Sequence, residues 1–408
     1  MVEWQNAEGD VTKGAVRWEP VRSLWWTGMT GIAIVGGIAT FSWSALAVFL
    51  AATACVLLFG HSLGSHRKLI HDSFQCPKWL EYLFVYAGVQ VGLSGPLGLV
   101  RQHDLRDYAQ RQADCHPYLR HGRSFWADAW WQLHCRLELD APPHLPLRPG
   151  IGDDPFYRLL ERTWMLQQLP PMILLYLAGG WSWVIWGGCA RISAGVTGHW
   201  LIGWFAHNHG PMHHVVDGAA VQGRNVKLAS LLTMGESWHN NHHAYPGSAR
   251  LGLYAGEWDP GWWVLTFLRK CALVWGIRLP RECAWRAELR QIDDARMVSS
   301  TPRPTLAAMA RDLLAVAVHV RAPRSSMTLH GPFATLPEPA LRSLVGDRIA
   351  LARDPGSARM ALRHGDVTVI GMPAILLAFA SRNFSAFVLA IILLPAALLG
   401  EMLRDRLS

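Results

Sequence analysis

Between Arg22 and His61 the chain runs for 38 consecutive residues without a charge. A bilayer core accommodates about 20 helical residues, so this stretch fits two spans joined by a tight turn at "FSWS". A second uncharged section runs from Thr163 to Ala190, and apolar character resumes after Arg191 as far as Ala206, with "GGWSW" as the turn of a second hairpin. Tyr82 to Val100 is also uncharged but is interrupted by "GLSGPLG", which predicts a kinked or re-entrant helix. With 51% hydrophobic and only 17% charged residues, the composition fits a membrane protein.

Basic residues set the expected orientation. Lys13, Arg17 and Arg22 precede the first hairpin and Arg67 and Lys68 follow it; Arg158 and Arg162 precede the second, with Arg224 and Lys227 after it. By the positive-inside rule the ends of both hairpins face the cytoplasm. The net charge of +8 fits this topology, and it would also attract anionic lipid headgroups or a phosphorylated acyl carrier. Seven cysteines without CxxC spacing predict reduced thiols, and the polar start MVEWQNAEGD shows no cleavable signal pattern.

Seven of the nineteen histidines form boxes on that same expected side. They are His66 and His71 in "SHRKLIHDS", His103 in "RQHDLRDY", His207 in "WFAHNHG", and His239, His242 and His243 in "GESWHNNHHAYPG". The last three stand at i, i+3 and i+4, one helical face. Imidazole is the usual nitrogen ligand of iron, copper, nickel and zinc, and one metal takes only a few ligands, so seven point to two metals held between helices. Asp107 follows His103 by one helical turn and offers a carboxylate, whereas Arg106 stays protonated and cannot ligate. Glu236 and Asn240 are candidates to orient ligating imidazoles.

These motifs resemble the membrane fatty-acid desaturases, most closely their acyl-CoA, stearoyl-type Δ9 branch. The similarity covers about residues 25–275 and rests on "HRKLIH", "HWLIGWFAH", "GESWHNNHHAYPGSARLGL" and the downstream "DPGWW". It implies an all-α integral membrane fold: two transmembrane hairpins, about four spans, under a cytoplasmic helical cap that holds a histidine-rich dimetal site. It also implies two Fe ions, O2 as co-substrate, an acyl-CoA or acyl-lipid substrate, and conversion of a saturated chain to a cis-monounsaturated one. His66, His71, His103, His207, His239, His242 and His243 fall on family ligand positions, with Asp107 as a further metal-ligand candidate. Two positions depart from the pattern: the second box HxxHH would place histidines at 106 and 107, and the family's Asn one turn before His207 is Gly203.

No His-Pro-Gly-Gly haem module or Rossmann glycine pattern is present, so the electron donor is expected to be external, a ferredoxin or cytochrome b5 type with a reductase. Membrane lipids are the other expected partners, nucleic acid is not one, and a bacterial inner membrane is a better expectation than endoplasmic reticulum. The expected organisation is a polar arm at 1–22, the desaturase-like domain at 23–285, and an extension at 286–408 carrying a short hydrophobic hairpin, with no ligand spacing among His319, His330 and His364. A hydroxylase or other oxygenase on the same scaffold, and a non-catalytic homologue with an altered second box, are the competing readings. His116 and His121 are substrate-loop candidates, His199 a packing or ligand-supporting residue, and His209, His213 and His214 members of a solvated loop. Arg191 is a charge inside an apolar helix, with a functional contact or a structural pairing as its two readings.

Overall fold

A computed structural model describes residues 8–292 and 297, together with five strands between 317 and 370. The chain divides into two units, Met1–Val298 and Ser299–Ser408. The first is mostly helical. It opens with strand β1 (Asp10–Trp18), then α1 (Pro20–Ala39) and α2 (Trp43–Cys55), which continues without a break as a π-helix over Val56–Ile70. Helices α3 (Lys78–Val89), α4 (Pro96–Gln110) and α5 (Phe125–His134) follow, then strand β2 (Cys135–Ala141) and α6 (Pro155–Thr163). Next come α7 (Leu169–Val184), a short π-turn at Ile185–Ala190, α8 (Arg191–Asn208) and strand β3 (His214–Val216). The unit ends with α9 (His239–Ala244), α10 (Pro260–Lys270) and strand β4 (Leu289–Gln291).

Two of these helical runs are long and apolar enough to cross a membrane, Trp43–Ile70 and Leu166–Asn208. At about 1.5 Å per residue the 43 residues of the second would exceed twice the bilayer core. Gly180 resolves this: at φ +65° and ψ −160° it breaks the helix. Gly187 and Gly188 then pack against Leu175 and Met172, so the later leg folds back on the earlier one. The tip of this hairpin meets the turn between α1 and α2. The Ser182 hydroxyl donates to the Thr40 carbonyl at 2.7 Å and the Trp183 indole to Ser44 Oγ at 3.2 Å. Val35, Ile38 and Leu177 turn outward and are at least 73% exposed, an apolar face suited to lipid.

The π-helix and α3 approach backbone to backbone. Gly60 and Gly64 lie against the main chain of Ala87–Gly88 and Phe84, and Gly88 faces Ser65 and Gly60 in return. Three glycines thus leave no side chain between the helices, and the segment carrying the first histidine box is fixed against its neighbour. On its other side Arg67, 1% exposed, bonds Asp259 at 2.8 Å and Ser62 at 2.5 Å. A buried cation tolerates this position because carboxylates surround it. The glycine-rich interruption expected near 90–95 is the break between α3 and α4.

Three expectations change. The unit is not purely helical: β1 pairs antiparallel with β2, and β3 with β4. The segment "FWADAWWQLHCRLELD", whose Trp stripe at helical spacing predicts one amphipathic helix, is helical only to His134, and its second half is β2. Cys135, Leu137 and Leu139 alternate along β2 on the face that, with Val11 and Val16 of β1, packs against Tyr108, Cys115 and Tyr118. His214 is not on a solvated loop; it begins β3, is 2% exposed, and accepts or donates a 2.7 Å bond with the Tyr254 hydroxyl.

In the second unit, strand β5 (Ala317–Arg321) pairs with β9 (Asp366–Ile370), and β6 (Met327–Leu329), β8 (Ser357–Leu362) and β7 (Ile349–Asp354) form a sheet in that spatial order. Of the expected hydrophobic hairpin, carried by "VTVIGMPAILLAFA" and "FSAFVLAIILLPAALLG", residues 367–370 are strand, and the rest lies outside the described residues.

Candidate metal centre

His66 and His71 are five residues apart. On an α-helix that separation is about 500°, so the rings would point about 140° apart. The i→i+5 ladder of a π-helix corrects this, since residues five apart come into register. Here the His71 amide donates to the His66 carbonyl at 3.1 Å and the ring centroids are 4.8 Å apart. His103 from α4 and His242 from α9 close the group, and ligand nitrogens of all four lie within 4.8 Å of one another. Nε2 of His71 and Nδ1 of His103 and His242 are buried without a hydrogen-bond partner. Buried polar atoms are normally paired, so rings with unpaired nitrogens, gathered from three elements into one group, have the chemistry of a metal's donor set. Nδ1 of His66 lies 2.5 Å from Glu236 Oε2, which sets a carboxylate beside this ring. Glu236 also accepts from Ser62 at 2.6 Å.

A second group unites His207 from α8 with His239 and His243 from α9. The three Nε2 atoms converge, His239 lying 3.1 Å from both His207 and His243. Two imidazole nitrogens each about 2.1 Å from one metal and about a right angle apart show about this separation. Residues 239, 242 and 243 share the short helix α9 but divide between the groups, His242 to the first and the other two to the second. Burial is the leading cause that pulls the pKa values of His103 and His243 to about 4 and those of His71, His239 and His242 well below the ordinary imidazole value. All of these rings are therefore neutral at physiological pH, the state that ligates.

The chain is 35% identical over 235 residues to an sn-2 palmitoyl-lipid 9-desaturase of Nostoc sp. (strain 36), spanning 57% of this chain and 81% of that protein. It is 32% identical to acyl-CoA 5-desaturase AL21 of Anemone leveillei, over 62% of this chain and 79% of the relative. An sn-1 stearoyl-lipid 9-desaturase of Synechocystis sp. is 34% identical over 60% and 75%. This chain belongs to the fatty-acid desaturase family. No protein-family profile matches it. As in other desaturases the chemistry is that of an oxidoreductase, and the histidine groups fit a metal site.

Where this desaturase departs from the family pattern, the structure gives the reason. Arg106 turns away from both groups, donating to the Leu119 carbonyl at 3.3 Å and Gln132 Oε1 at 3.0 Å, with Nη1 2.6 Å from His121 Nε2. His121, in left-handed conformation at φ +52°, stacks on His207 at 5.3 Å and bonds Asp128 through Nδ1 at 2.9 Å. A Cβ at position 203 would stand 3.0 Å from His121 Nε2, so the glycine and the histidine share one space. Asp107 lies 4.0 Å from His103 Nε2 and 3.5 Å from Arg111, outside both close groups but beside the first.

A cavity of about 310 Å³ runs along both groups, lined by His66, His103, Asp107, His207 and His239 together with apolar Leu99, Val196 and Ile202. Several lining residues escaped the sequence reading. Gln110 places Oε1 3.1 Å from His207 Nε2, and its position two turns after His103 on the same helical face was a usable signal. Gln132 had none, since its partner Arg106 lies 26 residues away. His116 accepts from the Tyr118 amide at 3.1 Å, stabilising its own turn. His209 packs on Trp204. Arg191 is paired internally, bonding Gly187 O at 2.8 Å and Gln168 Oε1 at 2.9 Å. Asn240 accepts from the amides of His213 and His214 and donates to the Gly223 carbonyl, anchoring α9.

Proposed function

We propose that this protein is an O2-dependent acyl-lipid or acyl-CoA desaturase that introduces a cis double bond into a saturated chain. The observation that carries the reading is the pair of histidine groups sharing one short helix on the wall of a cavity with an apolar lining. In this reading one iron is held by His66, His71, His103 and His242 and a second by His207, His239 and His243, with Asp107 as an additional carboxylate donor. When bound, the irons supply the O2 chemistry that removes two hydrogens from an unactivated alkyl chain. The side chains do the rest. Leu99, Val196 and Ile202 hold the chain by apolar contact, and the bound chain itself displaces water from this wall. Glu236 sets its carboxylate beside the His66 ring, and Asn240 anchors α9 so that its three histidines keep their spacing.

Four spans follow in this reading from two hairpins whose tips meet, with the histidines on the cytoplasmic side by the distribution of Arg and Lys. A bacterial inner membrane, membrane lipids around the hairpins, and an external ferredoxin- or cytochrome b5-type donor complete it. Residues 299–408 are assigned no ligand. The test is expression in a desaturase-deficient host with fatty-acid profiling by mass spectrometry and metal analysis of the purified protein. New monounsaturated chains and two irons per chain support the reading; a well-expressed protein with neither refutes it.

A further inference from the structure

His61 and His199 stand apart from both histidine groups yet line the same cavity. Their rings meet edge to face at 5.2 Å, and His61 lies parallel to His66 at 6.5 Å, so the pair sits directly beside the first group. Nδ1 of His61 is buried with no hydrogen-bond partner. His199 is exposed where it lines the cavity, and among the described residues it contacts the His61 ring without a hydrogen bond. Four polar groups on this wall are committed to protein partners. Trp25 donates to Gly92 O, Trp26 to Thr197, Arg22 to Tyr118, and Arg106 to Leu119 O.

Two imidazoles without protein partners, set in a wall otherwise suited to alkyl chain, disfavour an unsubstituted chain. Each would keep a donor and an acceptor unmet beside hydrocarbon. A hydroxyl group fits both: it accepts from one ring's N–H and donates to the other ring's bare nitrogen. A keto or ether oxygen only accepts and satisfies one side. We propose that His61 and His199 form a hydroxyl-binding subsite in the acyl cavity, selecting an acyl chain that carries a hydroxyl beside the first histidine group. The proposal rests on the reading of this cavity as the acyl site, and it adds a substrate class to it.

The test measures binding, independent of turnover. Full-length protein in lipid nanodiscs is titrated with stearate and with a series of monohydroxystearates, using displacement of a fluorescent fatty acid as the readout. At least one positional isomer should bind about tenfold tighter than stearate. In His61→Leu/His199→Leu that ratio should fall to about one. Single His199→Gln, which keeps a donor and an acceptor, should retain part of the preference and guards against a double variant that does not fold. Equal binding of stearate and every isomer overturns the subsite while leaving the acyl cavity intact, and so does a preference that survives in the double variant. Failure of any chain to displace the probe overturns the acyl reading of the cavity and the subsite with it.

Discussion

Adding one methyl group at Gly64 tests whether the glycine contact between the π-helix and α3 sets the metal geometry. A Cβ there would sit 2.5 Å from the Phe84 carbonyl carbon and closer still to its oxygen. At Gly60 it would sit 2.5 Å from the Gly88 nitrogen, again closer to a carbonyl oxygen. Contacts under 3.0 Å are not sustained, and both obstacles are main chain, so the helices must separate by at least 0.5 Å. Overpacking of this kind costs about 1–3 kcal/mol. The larger consequence is positional, because His66 and His71 ride on the displaced segment while His103 and His242 do not. Catalytic constellations tolerate about 0.5 Å, and about 1 Å of misplacement costs about 10²-fold in rate. Gly64→Ala should therefore lose metal from the first group and most product. Gly88→Ala should be milder, since its closest obstacle is the Ser65 hydroxyl, which can rotate. Gly198→Ala, with open space around its Cβ, should be neutral or stabilising by about 0.5–1 kcal/mol. Metal per chain by mass spectrometry, thermal unfolding and fatty-acid profiles measure all three. Gly64→Ala protein with full metal and parental product yield would show that the contact does not govern the site.

Three further outcomes are expected. His242→Ala should cost the first metal and His243→Ala the second, each leaving about one iron per chain; loss of neither would dissolve the division of α9 between two centres. Asp107→Ala should lower iron occupancy and Asp107→His preserve or raise it, whereas parental iron in both would leave Asp107 to its pairing with Arg111. The depressed imidazole pKa values of His103 and His243, about 4 against about 6.5 for a free ring, mean that the unfolded chain takes up protons before the folded one. Stability of the metal-free protein should thus be full above pH 6.5 and fall as pH drops towards 4, measured as unfolding midpoint against pH; a midpoint flat from 7 to 4 would contradict the burial of these rings.

The grouping of histidines was legible in the sequence because α9 places ligands at i, i+3 and i+4, a spacing that only a helix turns into one face. The two long apolar helical runs were legible because uncharged stretches of that length stand out against the rest of the chain. The way His66 and His71 meet was not. Five-residue spacing has no meaning on an α-helix, and nothing in the composition of Val56–Ile70 announces the wider winding. The fate of Arg106 was equally hidden. The sequence says that it cannot ligate, but only the fold brings His121 and Asp128 to receive it and sets Gly203 beneath them. Strand β1 escaped because its apolar residues Val11 and Val16 stand five apart, off the two-residue period, and its partner β2 lies more than a hundred residues away in sequence.

Helix α9 acts as a ruler. One of its side chains reaches one centre and two reach the other, so the distance between the centres is written in a single turn of backbone. Loops elsewhere could lengthen without changing that distance. A residue inserted or removed between His239 and His243 would rotate the following ligands by about 100° and break both centres together. Tolerance to insertion should therefore collapse abruptly across these five positions, while the exposed loop around Gly150 absorbs additions freely.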